Sequence, residues 1–220
     1  MSKVLFVSPH PDDETLGCGG TIFYHKKKGD DIFLLIITNL SIEFGWSEKL
    51  IEMRKKEIDK IKKFYGFKNV FHLNFQTKYL DTVPINEIIE NISNIVKKTK
   101  SEILYIPSRD DVHTDHQIVS KACMSSIKWF RNPSVQKVMA YEVISETNFN
   151  FDQNNFKPNV FIDITPYIAK KIAAMKIYKS EIKKHPFPRS EDAIKSLAIL
   201  RGSQSGKKFA EAFQLYMEIL

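Results

Sequence analysis

Cysteine is scarce. Only Cys18 and Cys123 occur among 220 residues, too few for a disulfide framework or for a zinc site built of cysteines alone. Long apolar runs are missing as well. The longest, Ile32 to Ile37, is far short of the roughly 20 residues a membrane helix needs. The N-terminus opens on the strand-like run Val4-Leu5-Phe6-Val7 and lacks the basic start, extended apolar stretch and cleavage site of a secretory leader. A reducing, cytoplasmic setting is therefore expected, with no membrane span. Neither the Gly-x-x-x-x-Gly-Lys-Ser/Thr nor the Gly-x-Gly-x-x-Gly pattern is present, which weighs against a nucleotide-binding module. Internal repeats and low-complexity segments are absent too.

What is present is an ordinary globular mixture, 43% hydrophobic and 27% charged, which excludes disorder and fibrous repeats. The length suits one domain of residues 1–220, with a core over 1–145 and a completing segment over 146–220. Lys plus Arg exceeds Asp plus Glu by 33 to 26, a net charge of +7. The lysines are scattered in pairs such as Lys55-Lys56, Lys62-Lys63 and Lys97-Lys98. They read as solvated helix faces, so no nucleic-acid partner is expected. The positive balance would suit an anionic substrate.

Apolar periodicity predicts strands at Val4–Ser8, Ile32–Thr38, Val70–Leu73, Ile103–Ile106 and Val138–Ile144. Helices are predicted between them at Thr15–Lys28, Ser47–Tyr65, Pro84–Lys98 and His113–Phe130. This alternation implies an α/β, Rossmann-like doubly wound fold. Its sheet is mostly parallel, in the order 3-2-1-4-5, with helices on both faces. Beyond residue 145 the rhythm changes. Asn148–Asn159 reads as a loop or crossing hairpin, Val160–Ile164 as a further strand, and Ile168–Ile182 and Gly206–Met217 as helices.

Directly after strand one stands Pro9-His10-Pro11-Asp12-Asp13-Glu14. The carboxyl end of a parallel strand is the usual ligand edge of such a sheet. One imidazole and neighbouring carboxylates suit zinc and related divalent ions. Adjacent carboxylates repel, and a cation relieves that repulsion. The bland alternative is that Asp12 or Asp13 caps the following helix. Gly17-Cys18-Gly19-Gly20 reads as close packing of that helix rather than a phosphate loop.

After strand four stands Asp110-Asp111-Val112-His113-Thr114-Asp115-His116. His113 and His116 share one side of a helical turn. One can ligate a metal and the other can face substrate, while Asp115 can hold an imidazole tautomer. Strands one and four are neighbours at the switch point, so the two clusters should meet there. His10, Asp13 and His116 then form a three-ligand site with a position open for water, as in catalytic zinc. The chemistry this permits is metal-assisted hydrolysis. Asp12 would take the proton from water, and His113 would stabilise an oxyanion or protonate a leaving amine.

Both motifs resemble those of the LmbE/PIG-L superfamily of zinc-dependent N-deacetylases, whose members include GlcNAc-phosphatidylinositol de-N-acetylase. Pro9 to Glu14 and Asp111-Val112-His113-Thr114-Asp115-His116 match its two signatures. The resemblance implies His10, Asp13 and His116 as ligands of one Zn²⁺ per chain, with Fe²⁺ or another divalent metal as alternatives. It implies Asp12 as base and His113 as catalytic imidazole oriented by Asp115. Met53-Arg54-Lys55-Lys56-Glu57 is similar to the family's Arg-x-x-Glu helix, which implies a substrate-facing Arg54; a surface ion pair of Arg54 with Glu57 is the plain alternative. Arg201-Gly202 and Ala210-Glu211-Ala212-Phe213 are similar to its late motifs. The implied activity is removal of an N-acetyl group from an N-acetylglucosamine-type sugar or its conjugate. The resemblance also allows a homo-oligomer. An amidase for larger conjugates and a non-catalytic, basic, metal-containing binding protein are the rival readings.

Overall fold

In the computed structural model, residues 1–151 and 156–220 are described. One seven-stranded sheet runs through them in the order β3-β2-β1-β4-β5-β7-β6. β1 (Lys3–Ser8) lies between β2 (Asp31–Asn39) and β4 (Ile103–Pro107), and all three are parallel. β3 (Asn69–Gln76) and β5 (Lys137–Tyr141) extend the parallel set outward. The predicted 3-2-1-4-5 order is therefore present. The central strands are buried on both faces, which explains their continuous apolar runs.

Among the described residues a large core lies on each face of the sheet. One packs α1 (Asp13–Lys28) and α2 (Glu48–Tyr65) against Phe6, Leu34 and Tyr105. The other packs α3 (Ile85–Thr99) and α4 (Thr114–Ser126) against Leu5, Leu35 and Leu104. The glycines of α1 serve close packing, as their spacing suggested. A Cβ on Gly17 would lie 2.3 Å from the Tyr141 ring, and one on Gly20 would lie 2.4 Å from Ile164.

The C-terminal region departs from the sequence reading. Gly206–Met217, expected as a helix, instead holds β7 (Ala210–Glu218), antiparallel to both β5 and β6 (Val160–Asp163). Its Ala, Glu, Gln, Leu and Met favour a helix, but the open edges of β5 and β6 need a partner, and tertiary pairing overrides propensity. A helix lies where none was expected, α6 (Glu191–Ser205). Its signals are plain in retrospect: Ser190 caps the Ala193 amide, Glu191 and Asp192 fill the first turn, and Gly206 ends it. The helix expected over Ile168–Ile182 stops at Met175, giving α5 (Ile168–Met175). α4 ends at Ser126 rather than Phe130, and β5 at Tyr141 rather than Ile144. Of the loop expected at Asn148–Asn159, residues 152–155 lie outside the described residues. No helix among the described residues is long and apolar enough to cross a membrane.

Candidate active site

The ends of β1 and β4 bring the two motifs together. His10 Nδ1 lies 3.1 Å from His116 Nε2. Asp13 Oδ2 lies 3.2 Å from His116 Nε2 and 3.4 Å from His10 Nδ1. The three atoms form a nearly equilateral triangle. Zinc–ligand bonds of about 2.0–2.1 Å in a tetrahedron set donor atoms about 3.3–3.4 Å apart, so this donor set fits a small divalent ion. The outer nitrogens reinforce the fit. His10 Nε2 donates to Asp115 Oδ2 at 2.9 Å, and His116 Nδ1 to Asp111 Oδ2 at 2.9 Å. Each imidazole thus has its far nitrogen engaged by a carboxylate, which leaves the near nitrogen as the one that could ligate a metal. His113 stands beside this pair, its ring centre 4.6 Å from that of His10, and the three histidines together could also hold an ion.

Burial opposes charge on Asp13 and His116, but pairing overcomes it. Asp13 is held well below the usual carboxylate range by His116 and His10, and His116 well above the usual histidine value by Asp13 and Asp111. An arriving cation would displace the proton they share.

Asp12 is 2% exposed, and its carboxylate caps nothing. Asp13 bonds instead to the His10 amide at 2.8 Å, so the capping alternative does not hold for either residue. Burial pushes the Asp12 carboxyl up to about 8 despite the opposing charge of Arg189, whose Nη1 donates to Asp12 Oδ2 at 2.9 Å. A carboxyl that titrates near neutrality can both take up and give back a proton. Its backbone is strained, at φ 122°. Asn74 and Lys78 also have positive φ, 60° and 67°, and line the same cavity. Such strain clusters at functional sites.

Glu14 braces the loop from beneath. Its fully buried carboxylate accepts from Ser8 Oγ at 3.0 Å, Thr15 Oγ1 at 2.8 Å and Tyr178 OH at 2.8 Å.

His113 starts α4, and its Nδ1 accepts from the Asp115 amide at 3.1 Å. The neutral ring therefore carries its proton on Nε2. Burial, with His10 and His116 alongside, lowers it to about 4, which keeps it neutral at physiological pH. Asp115 does not orient His113 through its carboxylate, as the resemblance implied. As the first-turn residue of α4 it turns its side chain away, to His10 Nε2 and to the amides of Lys78 at 2.7 Å and Leu80 at 3.3 Å.

Arg54 lines the cavity but is already engaged. It donates to Pro11 O at 2.8 Å and Ser180 Oγ at 3.0 Å, and pairs closely with Glu181. Its contact with Glu57, 3.6 Å, is buried rather than on the surface. Arg189 shares Glu181 at 2.9 Å and lies 3.5 Å from Glu146. Sequence reading missed Arg189 and Glu146, which stand in segments without periodicity or motif. It also assigned no role to Asp111, although that residue lies five positions before His116 in the same motif.

The site opens into a cavity of about 770 Å³. The fold is a doubly wound sheet with a His/Asp cluster at its switch point. The GlcNAc-PI de-N-acetylase (PIG-L) family model matches residues 5–127, and the chain belongs to that family. It is similar to the diacetylchitobiose deacetylase of Thermococcus kodakarensis, 24% identical over 97% of this chain and 83% of that protein. It is also similar to a probable N-acetyl-alpha-D-glucosaminyl L-malate deacetylase 2 of Bacillus cereus, 25% identical over 81% of this chain and 83% of that one. The crystal structure of a conserved protein from Thermus thermophilus shares the fold with a TM-score of 0.81. Identity there is 25%, over 100% of this chain and 97% of that chain.

Proposed function

We propose that this protein is a metal-dependent N-deacetylase that hydrolyses the acetamide of an N-acetylglucosamine-type sugar or its conjugate, releasing acetate and an amine. The observation that carries this reading is the triangle of His10 Nδ1, His116 Nε2 and Asp13 Oδ2 beside the buried carboxyl of Asp12. The names of its relatives, deacetylases of diacetylchitobiose and of a glucosaminyl malate, support the substrate class. A divalent ion such as zinc on those three residues would polarise the amide carbonyl and acidify water. Asp12 takes the proton of the attacking water and returns it to the leaving nitrogen. His113 donates its Nε2 proton in a hydrogen bond to the carbonyl oxygen as charge develops there. Arg189 holds Asp12 in place, and Arg54 fixes the Pro11 carbonyl and hence the loop. A purely structural ion would need a closed shell, whereas His10, Asp13 and His116 all face the cavity.

Asp12→Asn tests the reading. The variant should keep its metal by elemental analysis while acetate release from N-acetyl amino sugars falls about 10²- to 10⁴-fold. Undiminished turnover in the metal-loaded variant would remove Asp12 as base.

A further inference from the structure

We propose that the rim at the amino ends of the parallel strands, opposite the candidate active site, docks on a bilayer carrying anionic lipid, with Trp129 and Phe130 entering the bilayer interface. The lysine pairs are scattered in sequence, but the topology gathers them. A crossover helix between parallel strands ends where the next strand begins. The last turn of α1 holds Lys26, Lys27 and Lys28, that of α2 Lys62 and Lys63, and that of α3 Lys97 and Lys98. Backbone bonds run along this rim from strand to strand. The Lys68 amide donates to Ile32 O at 2.9 Å, Asp31 to Ser2 O at 2.9 Å, Glu102 to Lys3 O at 2.8 Å and Gln136 to Glu102 O at 2.8 Å. Acids on the rim are largely engaged: Asp30 is bonded to His25, Asp31 pairs with Lys68 and Glu218 with Lys137. All the helix-end lysines except Lys62 are exposed.

The connection from α4 to β5 completes the rim with Lys128-Trp129-Phe130-Arg131. Trp129 and Phe130 are 72% and 62% exposed, and their rings meet edge to face with centres 5.8 Å apart. The loop that carries them is fixed. Asn132 is buried, and its Nδ2 donates to Ser93 Oγ of α3 at 2.9 Å and to Ser126 O at 2.7 Å. The Arg131 and Asn132 amides both close on Lys128 O, at 2.7 and 3.0 Å. The helix dipole favours cations at helix C-termini, and that alone would place lysines here. It does not account for two adjacent exposed rings held by a braced turn and flanked by Lys128 and Arg131.

The charge pattern favours a bilayer over a nucleic acid. Recognition of bases and phosphates draws on the bidentate fork of arginine, and Arg131 is the one arginine among these cations. A diffuse anionic surface needs only many point charges, and lysines close to it add their attractions. Trp and Phe supply the apolar contact, since an aromatic body with a polar tip suits the interface between headgroups and acyl chains. Basic charge and buried apolar area together set the strength of such interfacial binding. His10, Asp13 and His116 stand at the other ends of the strands, so docking in this orientation leaves the cavity clear of the lipid.

Co-sedimentation with extruded vesicles tests this. The protein should bind vesicles of equal parts phosphatidylserine and phosphatidylcholine and not vesicles of pure phosphatidylcholine, and added salt should release it. Trp129→Ser with Phe130→Ser, and separately Lys97→Glu with Lys98→Glu, should each lower the partition coefficient about tenfold or more. All four positions are exposed, so none of these changes touches the core. The chain has two tryptophans, and Trp46→Phe leaves Trp129 as the only indole. Its emission should shift to the blue on the mixed vesicles and be quenched by a spin label on the acyl chain. No binding to the mixed vesicles overturns the proposal. Binding that the Trp129/Phe130 variant keeps in full also overturns it, because adhesion would then be by lysine alone. Tighter binding to single-stranded DNA than to vesicles, lost in that variant, would assign the rim to nucleic acid instead. A concentration-dependent dimer in sedimentation velocity, lost in the same variant, would assign it to a second copy of the chain.

Discussion

The cluster of His10, Asp13 and His116 sits at the N-terminus of α1, which two turns further on is gripped by Lys171 and Glu211. Both clusters bury charge against the same helix, and they end differently. Lys171 Nζ donates to Leu16 O at 2.7 Å and to Glu211 Oε1 at 2.7 Å. Glu211 accepts the amides of Gly20 at 2.9 Å and Thr21 at 2.7 Å. There the ionic groups are closed onto the helix backbone and onto each other. In the first cluster the outer nitrogens are satisfied by Asp115 and Asp111, while the inner donor atoms converge on one another beside a large cavity. Buried charge alone does not mark function. What distinguishes the two is whether the lone pairs are consumed by the fold or left aimed at a shared point.

The sharpest way to break this contrast is at Lys171. Lys171→Met leaves the Glu211 carboxylate buried without its cation, and loss of one partner of a buried pair costs about 3–5 kcal/mol. Urea unfolding should show that loss, and the metal content of the folded fraction should stay at the wild-type value. Replacing both partners, Lys171→Met with Glu211→Gln, should recover part of the stability. A drop in bound metal per folded chain would mean that the inner cluster also governs the outer one.

Asp111→Asn probes the open cluster. The Asp111 carboxylate holds His116 Nδ1 and accepts from Thr147 Oγ1 at 3.1 Å. Its loss should lower metal affinity about 10- to 100-fold in competition with a chromophoric chelator, and the urea midpoint should move less than in Lys171→Met. Unchanged affinity would show that the carboxylate behind His116 does not tune the site.

These two clusters were not equally readable. His10, Asp12, Asp13, His113 and His116 stand in two short motifs whose strands the topology makes neighbours, so position in sequence and position in space agree. The parallel half of the sheet was legible for the same reason, since buried strands and amphipathic helices write their period locally. Glu211 stands in a late motif that assigned it no role, and its pairing was not legible because Lys171 lies 40 residues away. Arg189 was invisible, since its contacts with Asp12 and Glu181 depend on how the chain beyond Ile182 returns to the site. β7 was misread because the need of β5 and β6 for a partner is not written in the residues that fill it.

The smallest expected effect lies at the far end of α1, where a third buried pair extends the contrast. His25 Nδ1 meets Asp30 Oδ2 at 2.8 Å, and Nε2 meets Tyr105 OH at 2.9 Å. Burial lowers the His25 value, and Asp30 offsets this only in part. His116 is shifted the opposite way. A depressed histidine is neutral in the fold, so its contribution to stability is present above the ordinary value of 6.5. That contribution falls as pH drops from there toward the folded value, because the unfolded chain takes up a proton first. Wild-type protein should lose more of its urea midpoint between about pH 7.5 and about pH 5.5 than His25→Gln does. His116 titrates in both proteins, so its opposite contribution cancels in the difference. Parallel pH profiles for the two would mean that His25 acts only as a hydrogen-bonding strut between Asp30 and Tyr105, unlike the His116 cluster at the other end of the helix.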